Sequence, residues 1–142
     1  MSSIKTIELH ELQRVQQQQL LELFAEADFA DLADGAQWLN DAVKGSLLAV
    51  GAVDEDGQMI GFARVLGDGV SDCYIQDVVV KSSCRGQGIG KMLVSRILEL
   101  LQERDIDWVG LIATPGKAGF YQQLGFECME GFTPMKWNNN KH

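Results

Sequence analysis

Seven consecutive residues hold the densest chemistry in the sequence: Arg85-Gly86-Gln87-Gly88-Ile89-Gly90-Lys91. Three glycines alternate between two cations, after the apolar run Tyr74 to Val80 and a short polar turn. Leu93, Ile97, Leu100 and Leu101 then recur at helical spacing. The segment therefore reads as a strand, a glycine turn and a helix N-terminus. Unsatisfied N–H groups and the positive end of the helix dipole favour an anion there. Glycine lets the backbone approach a ligand closely and adopt the positive φ that turns successive N–H groups to one side. A diphosphate is the natural guest.

Two phosphate loops fail on spacing. G-x-G-x-x-G begun at Gly86 needs glycine where Lys91 stands. G-x-x-x-x-G-K-[ST] is one residue short between Gly86 and Gly90-Lys91, and Met92 replaces its hydroxyl. The pattern [RQ]-x-x-G-x-[GA] is met in full by Arg85 to Gly90, and F-Y-x-x-x-G-F by Phe120-Tyr121-Gln122-Gln123-Leu124-Gly125-Phe126.

In these two blocks, and in their separation by one helix and one strand, the chain resembles the GNAT superfamily of acetyl-CoA-dependent N-acetyltransferases. The resemblance implies that acetyl-CoA is the co-substrate and that Arg85, Gly86, Gln87, Gly88, Ile89, Gly90 and Lys91 grip its pyrophosphate. It implies that Tyr121 protonates the departing thiolate. The acceptor would be a small-molecule or peptide amine, and a homodimer is compatible with the pattern of similar proteins. A CoA-binding sensor or partner-binding module without turnover is the alternative.

The pantetheine arm is expected in a crevice where parallel strands splay, bonded to the backbone of Val78, Val79 and Val80. An N–H of Val79 or Val80 would hold the thioester oxygen. A base must take the proton of the amine. Asp77 can accept it directly, whereas Gln76 can only position water. Side chains alternate along a strand, so only one of the two faces the cleft unless a bulge intervenes.

Composition narrows the classes. The chain has 142 residues, with 46% hydrophobic and 23% charged, the balance of a single globular domain. Its formal net charge of −8 argues against nucleic acid as a partner. Lys81 to Arg96 holds four basic residues and no acid, an island suited to a polyanionic cofactor within an acidic remainder suited to a cationic substrate. No window reaches 18 apolar residues, which argues against a membrane partner, and the N-terminal residues lack the apolar core of a signal peptide. A cytoplasmic, soluble protein is expected. Three widely spaced cysteines, Cys73, Cys84 and Cys128, argue against disulfides and against a metal site. Cys84 beside the loop is either a nucleophile without a nearby histidine or a small filler.

The positioning elements follow from periodicity. Strands are expected at Ile4 to Leu9, Ser46 to Val53, Met59 to Leu66, Asp72 to Val80 and Asp107 to Ala113, with a final hairpin of Phe126 to Met129 and Thr133 to Trp137. Helices are expected over His10 to Ala27, Asp34 to Val43 with Asp34 as N-cap, Gly90 to Arg104, and a short one ending at Leu124. The fold class is α+β (mixed α/β). A GNAT-like central mixed sheet of six to seven strands, an antiparallel meander followed by a parallel βαβ pair, would be flanked by about four helices. One domain is expected over 1–137, with a disordered tail at 138–142. The aspartates Asp28, Asp31, Asp34 and Asp41, beside Phe24, Phe29 and Trp38, either meet an amine or are solvated acids over core aromatics.

Overall fold

The computed structural model describes residues 3–139 and divides into two compact units, Met1–Leu111 and Ile112–His142. The first holds a five-stranded sheet in the order β1 (Lys5–Glu8), β2 (Leu48–Val53), β3 (Met59–Gly67), β4 (Cys73–Val80) and β5 (Val109–Gly110). Successive pairs are antiparallel as far as β4, and β4 runs parallel to β5. The βαβ crossover passes through α3 (Ile89–Glu103).

The sheet is covered on both faces. Phe62 of β3 packs on Phe24 of α1 (Arg14–Glu26), in a core with Leu20, Leu21 and Leu23, Leu39 and Val43 of α2 (Gln37–Lys44), and Val79 of β4. On the other face a side chain at Gly61 would meet Ile89 and Leu93 of α3 at 3.0 and 3.1 Å. This explains why β2 is buried at every position and reads as an uninterrupted apolar run. Fully burying each such leucine or phenylalanine contributes roughly 1.5–3 kcal/mol.

Helix starts depart from the periodicity for local reasons. The Leu12 amide donates to Asn40 Oδ1 at 2.6 Å, which diverts the chain before the helix, and Gln13 and Gln16 close a capping box, so α1 begins at Arg14 and not near His10. Asp34 does not cap α2: its carboxylate accepts from the Asp31 amide at 3.0 Å, closing a 3-10 turn over Leu32–Asp34, and Ala36 takes the cap position.

The second unit carries α4 (Ala118–Gln123), with Gly125 at φ 98° just past its end. The expected final hairpin is corrected here, and with it the count of six to seven strands: five strands are present among the described residues, and neither Phe126 to Met129 nor Thr133 to Trp137 pairs. Only the turn forms, with the Phe132 amide donating to the Met129 carbonyl at 3.2 Å and Gly131 at φ 82°. Pro134 removes a ladder donor from the second run. Of the expected tail, Asn138 and Asn139 are exposed without regular structure, and 140–142 lie outside the described residues.

Candidate active site

β4 and the turn after it assemble most of the expected residues. Pairing between β4 and β5 covers only Cys73↔Val109 and Tyr74↔Gly110. Beyond Tyr74 the β5-side edge of β4, through Val78, Val79 and Val80, has no strand partner among the described residues. That edge keeps its outward N–H and C=O groups available to an extended ligand.

The chain then passes through a 3-10 turn, Ser82–Cys84, to Arg85, and reaches α3 through Gly86 at φ 82° and Gly88 at φ 79°. Both glycines adopt a conformation that costs other residues about 1–2 kcal/mol. A Cβ at either would meet nothing within 4 Å, so the space above the turn is open. Arg85, Gly86, Gln87, Gly88 and Lys91 are exposed, Gly90 is half-buried, and Ile89 anchors the helix start in the core. The first N–H groups of α3 receive no side-chain cap. An open turn between two cations, with no Cβ filling it and the uncapped start of α3 beside it, fits a diphosphate.

Glu26, the last residue of α1, fastens the start of this turn. Its carboxylate accepts from the Ser82 amide at 2.6 Å and from Ser82 Oγ at 2.8 Å. These two hydrogen bonds hold its pKa below the ordinary carboxylate value near 4.5, aided by the charges of Arg85 and Lys81. A depressed folded pKa gives stability that is complete above pH 4.5 and lost as the pH falls through the folded value. Glu26→Gln is therefore expected to lower the urea midpoint at pH 6 and to converge with the parent protein below pH 4.5. A constant gap down to pH 3 would contradict the fastening.

A bulge lies at the centre of β4. Arg64 opposes Gln76 but Phe62 opposes Val79, so Asp77 and Val78 face the single residue Ala63. Asp77 takes φ 60°, a left-handed conformation that aspartate tolerates better than most residues. The bulge cancels the alternation expected of the strand. Gln76 stands opposite Arg64, and the Asp77 carboxylate also reaches Arg64, accepting from Nε at 2.6 Å. Arg64 Nη1 lies 3.5 Å from Ser46 Oγ, which donates to the Ala42 carbonyl of α2 at 2.7 Å. Arg64 and Ser46 were not among the expected site residues. The signal available was a lone cation inside an apolar nine-residue strand.

Phe24 is buried, with Phe29, Trp38 and Phe62 around it at centroid distances of 5.8, 6.1 and 5.9 Å. Asp31 and Asp34 are occupied in capping their own turn. Cys84 is half-buried, with the Ser83 hydroxyl 3.9 Å from its sulfur.

In the second unit, Tyr121 sits on α4 with Phe120 and Phe126 against its ring at 4.9 and 5.8 Å. Burial pushes its phenol above the ordinary value, so the hydroxyl keeps its proton at neutral pH.

The model of the acetyltransferase (GNAT) domain matches residues 47–128, more than half of the chain. The chain belongs to the GNAT acetyltransferases. A GNAT-family protein from Streptococcus pneumoniae TIGR4 superposes with a TM-score of 0.77 at 30% identity, covering 99% of this chain and 100% of that one. Serotonin N-acetyltransferase 2, chloroplastic, from Oryza sativa subsp. japonica is 36% identical over 89 residues, 63% of this GNAT chain and 40% of the relative. GCN5-related N-acetyltransferase 2, chloroplastic, from Arabidopsis thaliana is 39% identical over 88 residues, 61% of this chain and 34% of the relative. The match thus spans less than half the length of either plant protein.

Proposed function

We propose that this GNAT protein is an N-acetyltransferase that moves an acetyl group from acetyl-CoA to a primary amine by direct attack. The observation that supports this best is the continuity of the unpartnered β4 edge, Val78 to Val80, with the open turn at Gly86 and Gly88. The backbone amides of Gln87 to Lys91, with Arg85, would hold the diphosphate. The edge of Val78 to Val80 would align the pantetheine arm, and an amide of Val79 or Val80 would stabilise the oxygen as charge develops.

Asp77, or Gln76 through water, takes a proton from the bound ammonium and leaves the neutral amine to attack. The neutral nitrogen then bonds to the acetyl carbon, the carbon–sulfur bond breaks as the thiolate takes the Tyr121 proton, and the second proton shed by the nitrogen returns through water to the Tyr121 oxygen. The products are an amide and free CoA.

Two measurements test this reading. Calorimetry with acetyl-CoA should show binding, and thiol release should require an added amine; absence of acetyl-CoA binding would end the assignment. Tyr121→Phe is expected to lower kcat by about 100-fold, the size of a lost general acid, while acetyl-CoA affinity stays within about twofold. An unchanged kcat would remove Tyr121 from the chemistry.

A further inference from the structure

Tyr74 and Trp108 form an aromatic pair that neither the core nor the acetyl-transfer steps use. Their rings meet edge to face at 5.4 Å, yet Tyr74 is 48% and Trp108 38% exposed. Most aromatics of this size are buried well beyond that, because each carries a large apolar area. The pair is held in place by the backbone beneath it. A Cβ at Gly110 would lie 2.7 Å from the Trp108 ring and 3.1 Å from that of Tyr74, so only glycine lets the indole lie flat on β5.

Register places this pair on the face that carries the polar centre. Tyr74 opposes Leu66 and Gln76 opposes Arg64, while Phe62, two residues before Arg64, packs on Phe24 of α1. Residues two apart share a face, so Tyr74, Gln76, Arg64 and Phe62 line up on the side of the sheet that α1 covers only in part. The bulge adds the Asp77 carboxylate to the same face at Arg64. The open ring platform and the Gln76 side chain therefore lie side by side on β4, about 7 Å apart for neighbours on one face, and the Asp77 carboxylate follows one residue further along the strand. The short carbon tether of an arylalkylamine spans that gap.

We propose that Tyr74 and Trp108 are the specificity-determining platform for the acceptor, and that the acceptor is a primary amine carrying a planar aromatic ring on a short alkyl chain. The inference rests on the N-acetyltransferase reading and assigns its substrate class. The ring stacks on Trp108 and Tyr74, while the amine reaches Gln76 and Asp77. The acidic balance of the chain, −8 overall, favours a cationic amine at a distance.

The test compares 2-phenylethylamine with 2-cyclohexylethylamine, which matches it in tether and charge but has no π face. Calorimetric affinity with CoA present, and kcat/KM with acetyl-CoA, are both read. The aromatic amine is expected to be favoured by about tenfold, the upper range for an aromatic pair beyond its area. Tyr74→Leu, which keeps apolar bulk, should reduce the preference to about twofold. Gly110→Ala, which pushes the indole off the strand without deleting a ring, should do the same; an acetyl-CoA-induced rise in Tm shows that each variant is folded. Equal treatment of the two amines by the parent protein, binding of neither, or an intact preference in folded Tyr74→Leu would overturn the proposal. Failure to bind acetyl-CoA would instead overturn the acetyltransferase reading beneath it.

Discussion

Gly88→Glu is expected to abolish acetyl-CoA binding, with affinity falling by more than about 100-fold, equivalent to about 2.7 kcal/mol. Two contributions act in the same direction. The residue sits at φ 79°, so a side chain there is strained by about 1–2 kcal/mol. The larger contribution is charge: the space beyond Gly88 is open, and a glutamate would project its carboxylate into the proposed diphosphate site. Gly88→Asn separates the two, because asparagine tolerates the left-handed region and carries no charge. It should lose no more than about tenfold, the equivalent of its residual strain. Calorimetry on the two variants decides the matter. Equal affinities in Gly88→Glu and the parent chain would show that the turn holds no phosphate.

The second large effect belongs to Arg64. Its guanidinium and the Asp77 carboxylate are 18% and 22% exposed, so the pair is mostly withdrawn from water. Breaking a fully buried pair by removing one partner costs about 3–5 kcal/mol. With this residual exposure, Arg64→Met is expected to cost about 2–3 kcal/mol in urea unfolding. Asp77→Asn added to Arg64→Met should recover more than half of that loss, since the amide removes the orphaned charge and still accepts φ 60°. If the double variant is no more stable than Arg64→Met, the carboxylate was never dependent on the guanidinium.

The parts that could be read from sequence were those whose causes are local. Strand, turn and helix around Gly86 and Gly88 follow one another within a single stretch, and each carries its own signal in glycine spacing or apolar period. The meander of β2, β3 and β4 is likewise a chain of neighbours. What escaped depends on distant partners. Asp77 meets Arg64 across 13 residues through a bulge that no glycine marks, and Glu26 meets Ser82 across 56. Asp34 carried the residue type of a helix cap, but Asp31 three positions earlier captured it for a tighter turn. In the C-terminal stretch, alternating apolar residues suggested a hairpin, yet Pro134 and the acids Glu127 and Glu130 leave those runs weak ladder material.

The contact between Glu26 and Ser82 ties two tasks together mechanically. One carboxylate ends the long first helix and also secures the main chain three residues before Arg85. Fraying at that helix terminus should therefore loosen the turn that leads to Arg85, and acetyl-CoA held at the proposed site should slow hydrogen exchange at both places.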